Sequence, residues 1–94
     1  MSNDTEYTRL LIGRPVLTSL YQSVQRRVLA RAPELDHGRP YRLRKICGEQ
    51  YWHGLGTQYT EAGRVMADLV ERQLVPFLFA SDRDEKPLWY WLEP

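Results

Sequence analysis

The chain has 94 residues, 43% of them hydrophobic and 27% charged, with a formal net charge of +1. At this size one domain buries about 60–65% of the surface its unfolded chain exposes, so a single core is expected; the composition excludes a low-complexity or highly charged disordered chain. No apolar run approaches the ~20 residues needed to cross a bilayer, and the first residues lack a basic-then-apolar leader pattern, so a cytoplasmic protein with no membrane contact is expected. Cys47 is the only cysteine and there are two histidines. An internal disulfide is thereby excluded, and neither a metal site nor a cofactor is expected.

The near-neutral total hides an asymmetry. Residues 1–56 carry nine Lys/Arg against five acids, whereas residues 57–94 carry four against seven.

In chain order, MSNDT is expected to fray, and residues 1–12 form an arm or extra element in which TRLLIG reads equally as a strand or a helical turn. Pro15 suits the first turn of a helix, and Leu17, Leu20, Tyr21, Val24 and Val28 recur at helical spacing, which predicts a first helix over 15–32 that ends before Pro33. PELDHGRP reads as a loop. A short extended piece, YRL, leads into RKICGEQYWHGL, predicted as one helix closed by Gly54 and Gly56.

Thr57 or Thr60 is expected to cap the next helix. Its buried stripe is Ala62, Val65, Met66, Leu69 and Val70; Thr60, Glu61, Arg64, Asp68 and Glu71 are expected outward, with Asp68 pairing Arg64. Gly63 beside the stripe suggests close approach of a neighbouring backbone. The helix-turn-helix core is thus expected over 41–73.

From Val75 the period changes to two, and VPFLFA and LWYWL predict a hairpin over 75–92 across the polar SDRDEKP. Alternation puts Val75, Phe77, Phe79, Leu88, Tyr90 and Leu92 on one face. Leu78, Trp89 and Trp91 fall on the other.

The order helix, short strand, two helices, hairpin is that of a winged helix-turn-helix domain, an α+β fold. Leu43, Gly48, Glu49, Trp52, Leu55, Gly63, Arg64, Leu69, Val70, Pro76, Phe79 and Tyr90 strengthen this: over roughly residues 39–92 the chain resembles short, largely uncharacterised winged-helix proteins of bacteria, phages and other mobile elements. Gln73 departs from that pattern, which usually has glycine at the end of the third helix. The resemblance implies a non-enzymatic DNA-binding or transcription-associated regulator of a mobile element, whose partner is double-stranded DNA.

DNA contact would fall to Gln58, Tyr59, Thr60 and Arg64 on the third helix, Arg44 and Lys45 on the second, and Arg83 and Lys86 in the wing. Asp82, Asp84 and Glu85 in that wing oppose a phosphate backbone. The alternative is a protein-binding module, an inhibitor or adaptor acting on a host or competitor protein through an acidic, Trp-rich face built from Leu78, Trp89, Trp91 and Trp52. Against it stands a cover: the N-terminal segment with Tyr7, Leu10, Leu11 and Ile12 folding over the tryptophans. A homodimer is a third use of the same surface. His37, His53 and Cys47 form no triad or metal spacing and read as surface or core residues.

Overall fold

A computed structural model describes residues 6–80 and 88–94. These residues form a compact α+β arrangement of four helices and two small antiparallel sheets. Strands β1 (Tyr7–Arg9) and β2 (Pro15–Leu17) make an N-terminal hairpin, followed by α1 (Thr18–Arg31) and a 3₁₀ turn at Ala32–Glu34. Then come β3 (Pro40–Tyr41), α2 (Leu43–Cys47), α3 (Glu49–Gly54), α4 (Tyr59–Glu71), β4 (Phe77–Phe79) and β5 (Tyr90–Leu92). The second sheet has the order β3-β5-β4, so the two-residue strand before α2 pairs beside the last strand.

Pro15 does not open the helix; it stands in β2 opposite Arg9. The Leu10 N–H bonds to the Arg14 carbonyl at 2.8 Å and the Thr18 N–H to the Glu6 carbonyl at 2.9 Å. In an antiparallel ladder that alternation leaves Arg9 and Pro15 as a non-hydrogen-bonded pair, where a missing N–H loses nothing. Gly13, at φ +87°, closes the tip by donating to the Leu10 carbonyl. The helix therefore starts three residues later than its apolar spacing suggests.

The single helix expected over RKICGEQYWHGL is two, broken at Gly48 with φ +92° and ψ 152°. What holds the break is α1. Arg27 and Arg31, one helical turn apart, donate from Nε to the carbonyls of Cys47 (2.8 Å) and Ile46 (3.0 Å). Both carbonyls sit at the end of α2, where intrahelical partners run out and cations are favoured. A Cβ on Gly48 would lie 3.3 Å from Arg27 Nη2.

The start of α4 also differs from expectation. Gln58 is the N-cap, with no side-chain cap bond, and neither Thr57 nor Thr60 serves. At its other end Leu74 N–H bonds to the Leu69 carbonyl and Gln73 N–H to that of Val70, a Schellman closure with Gln73 at φ 60°. That left-handed position is the one glycine normally fills.

The core lies between α1, α2, α4 and the inner face of the β3-β5-β4 sheet, with Val24, Val28, Ile46, Cys47, Ala62, Val65, Met66 and Leu69 wholly buried. Burying each Val, Leu, Ile or Met side chain contributes roughly 1.5–3 kcal/mol. Phe77, Tyr90 and Leu92 face this core.

Asp68 overturns the outward placement. It is 4% exposed, and Arg72, not Arg64, is its ion partner at 2.7 Å. Its other bonds come from the Leu11 N–H (2.7 Å) and the Tyr21 hydroxyl (2.8 Å). The carboxylate thus ties the N-terminal hairpin, α1 and α4 together. Burial alone would raise its pKa, but the donors from Leu11, Tyr21 and Arg72 outweigh that and hold it below the usual value. Burial and the bond to Asp68 push Tyr21 up to about 12.

Two outcomes follow for stability. A group with a lowered folded pKa stabilises at pH above its unfolded value, ~3.9 for Asp, and loses that contribution as pH falls through the folded one. Urea titrations should therefore show Asp68→Ala about 2–4 kcal/mol less stable near neutrality, with the gap closing as pH falls below the unfolded value of ~3.9. On the alkaline side Tyr21 has the opposite sign, so wild type should lose stability from about pH 10 upward, more steeply than Tyr21→Phe. Independently, Gln73→Gly should add about 0.5–1 kcal/mol in the same titration by relieving the left-handed backbone.

Candidate functional site

Two surfaces gather the residues that sequence patterning singles out. The first is the outer face of the β3-β5-β4 sheet. In register across its three strands lie Pro40, Trp91 and Leu78, with Trp91 central. Trp91 is 37% exposed and Leu78 45%. Trp89, half-buried one step back along the chain, receives the Arg42 guanidinium 4.9 Å above its ring, and its carbonyl accepts from the Ala80 N–H at 2.8 Å. This face exists because a strand sends alternate side chains to opposite sides, so Tyr90 and Leu92 take the core and the indoles cannot.

The N-terminal segment does not fold over the tryptophans as the covering alternative required. Leu10 enters the core, while Tyr7, Leu11 and Ile12 are 65%, 56% and 57% exposed. The hairpin instead packs on α1 and is pinned to α4 through Asp68. A second tie to α4 is the Arg72 guanidinium, which donates to the Arg9 carbonyl at 3.4 Å.

The second surface is the exposed side of α3 and α4. Trp52 neither lies open nor packs on α1: it is half-buried and stacks on Tyr59, with ring centroids 5.3 Å apart and an interplanar angle of 26°. The pair forms one wall of a groove of about 330 Å³ that runs between α4 and the start of β5, with Thr60, Gly63, Arg64 and Leu88 along it. No backbone approaches Gly63; a Cβ added there would meet nothing within 4 Å, so the glycine opens the groove rather than admitting a neighbour. Gln58 is half-buried at the head of α4, and Thr60 is exposed.

Of the cations expected at phosphate, Arg44 is engaged by the protein itself. Arg44 makes a two-pronged contact with Glu49, 2.9 Å from Nε and 2.7 Å from Nη2, which raises the arginine's pKa and lowers the glutamate's. Arg27 and Arg31 support the end of α2. Arg39 lies over the Tyr41 ring and Arg42 over Trp89. Lys45 is exposed, and Arg64 is half-buried with no ion pair to another described residue. Arg83 and Lys86 lie outside the described residues, as do Asp82, Asp84 and Glu85.

Sequence patterning missed the Arg–carbonyl supports and the Trp52–Tyr59 stack. Arg27 and Arg31 at i,i+4 were the available signal for the first, but nothing local names a carbonyl acceptor fifteen or twenty residues on.

Cys47 is wholly buried, and its thiol is pushed up to about 11 by that burial, against the weaker pull of Arg27 and Arg31. His53 and His37 are exposed, and His53 Nε2 lies 3.4 Å from Glu49. Among the described residues no cluster of three or more His, Cys, Asp or Glu is placed to hold a metal ion, and no helix is long and apolar enough to cross a membrane. No protein-family model, curated protein or solved structure matches the chain.

The burial of Cys47 has a direct readout. The native thiol should react with an aromatic disulfide reagent at least about a hundredfold more slowly than in urea, since only the thiolate attacks and it must be exposed to do so. Comparable rates in both conditions would contradict the packing of α2 against α1.

Proposed function

We propose that this chain is a non-enzymatic winged-helix domain that works by binding another protein through the outer face of its β3-β5-β4 sheet. The winged-helix assignment is supported by the order of elements together with β3 pairing beside β5, the arrangement in which a short strand between the first two helices joins the terminal hairpin. The resemblance over residues 39–92 points the same way. The absence of catalysis is supported by the sealed Cys47 thiol and by the exposure of both histidines.

The observation that carries the binding role is the row Pro40, Trp91 and Leu78 with the Arg42–Trp89 pair beside it. Trp and Arg supply a large share of binding energy at protein interfaces, and an indole already held by strand pairing, or an arginine already parked over a ring, loses little freedom on association. The partner presents apolar side chains to Trp91 and Leu78 and a carboxylate to Arg42. A host or competitor protein of the mobile element fits this description; a second copy of the chain is an outcome that sedimentation would reveal.

A second reading, double-stranded DNA, is favoured by one observation: the first turn of α4 offers exposed Tyr59 and Thr60, with Arg64 one turn on and no ion pair to another described residue. In a winged helix that helix enters the major groove. It ranks second because phosphate neutralisation dominates such affinity, and Arg27, Arg31, Arg44 and Arg72 are all committed within the fold.

Cross-linking in lysate with mass spectrometry, alongside duplex gel shifts at low salt, separates the two. The double variant Trp91→Ala, Leu78→Ala should keep its circular dichroism and melting behaviour while affinity for the cross-linked protein drops at least about thirtyfold, roughly 2 kcal/mol. A salt-sensitive duplex shift that Arg64→Glu removes and Trp91→Ala leaves intact would sink the protein-binding reading and establish the second.

A further inference from the structure

The groove beside α4 has a lining whose chemistry is more selective than a surface crevice. One wall is the stacked Trp52–Tyr59 pair, and Leu43, Leu88 and Tyr90 supply apolar surface. Among the described lining residues Arg64 alone is charged. Thr60 lies one helical turn before it on the same side of α4, so a hydroxyl-bearing and a guanidinium-bearing residue line the same stretch of an otherwise largely apolar and aromatic slot. Gly63, between them, leaves open the space a side chain would fill.

Asp68, four residues after Arg64, is occupied by Arg72, Tyr21 and the Leu11 N–H. Glu61 and Arg14 share an adjoining cleft with Arg64, and Glu71 a second, yet neither acid forms an ion pair with Arg64. Among the described residues no carboxylate forms an ion pair with the guanidinium.

We propose that this groove is a binding site for a small aromatic monocarboxylate. The ring lies along the Trp52–Tyr59 wall, where offset stacking is favourable, and the carboxylate takes the Arg64 guanidinium in a two-pronged contact with the Thr60 hydroxyl as a further donor. A volume of about 330 Å³ sits at the low end of the ~300–1,000 Å³ usual for small-ligand sites, enough for one or two rings and far less than a protein interface occupies. Charge complementarity selects an anion, because a neutral ring would leave the half-buried guanidinium without a partner. The site lies on the inner side of the hairpin, away from Trp91, and stands independently of the sheet-face reading.

The test is a nitrogen–proton NMR titration of the whole chain with benzoate and with indoleacetate, using benzamide and indoleacetamide as neutral counterparts. The carboxylates should shift the Thr60, Gly63 and Ala67 amides and the Trp52 indole N–H saturably, and the amides should bind at least about tenfold more weakly. Arg64→Gln should erase that difference, Arg64→Lys should restore part of it, and Gly63→Ile should abolish all binding by filling the slot; the same spectra report whether each variant is folded. Trp91→Ala should leave the titration unchanged. Absence of saturation at millimolar carboxylate, equal binding of acid and amide, or shifts confined to the Trp89–Trp91 face would each overturn the proposal.

Discussion

A carboxylate with almost no solvent contact must collect donors from whatever lies within reach, and Asp68 collects them from three separate parts of the chain. The N–H of Leu11 comes from the tip of the N-terminal hairpin, the hydroxyl of Tyr21 from α1 and the guanidinium of Arg72 from the next turn of α4 itself. Arg72 also reaches the Arg9 carbonyl at 3.4 Å. Removing the charge would strand the buried Tyr21 hydroxyl and two part-buried donors at once, so one side chain fixes the hairpin and reinforces the packing of α1 on α4. Because the hairpin is held here, none of its described residues lies over Trp91 and Leu78, which are exposed on the sheet's outer face.

A second set of polar bonds shapes the molecule by consuming charge. The basic excess of the first 56 residues resembles the footprint of a polyanion-binding surface. In the folded chain several of those cations are engaged by the protein itself: two arginines support the end of α2, one clasps Glu49 at the surface, and two lie over aromatic rings. An arginine donating to a carbonyl or shielded by a carboxylate has already used the geometry it would bring to a phosphate. Three of those nine cations, Arg27, Arg31 and Arg44, hold the short helices in place.

Short elements explain that expenditure. A helix of five residues and one of six cannot persist on propensity, since isolated helices of that length are unstable in water. They need ends supplied from outside, which is why Arg27 and Arg31 stand over the Gly48 break, and they need lateral contact, which the Tyr51–Ser23 bond and the Trp52–Tyr59 stack provide. The same stack builds the wall of the groove, so a feature that secures α3 also defines the cavity beside α4.

Periodicity in the sequence by itself determined the long amphipathic helices, the terminal hairpin and the assignment of Tyr90 and Leu92 inward against Trp89 and Trp91 outward, because a side chain's direction along a helix or strand follows from local backbone geometry. It also located the loop before β3 and the glycine-rich turn before α4. Tertiary structure alone decided the rest. Pro15 became a strand residue through its pairing with Arg9; Asp68 became a core residue because three donors converge on it; Gly48 became a break because two arginines from another helix receive the freed carbonyls. The last two turn on hydrogen-bond partners distant in sequence and the first on strand pairing, and no local pattern of apolar and polar residues carries the identity of a partner that only folding brings near.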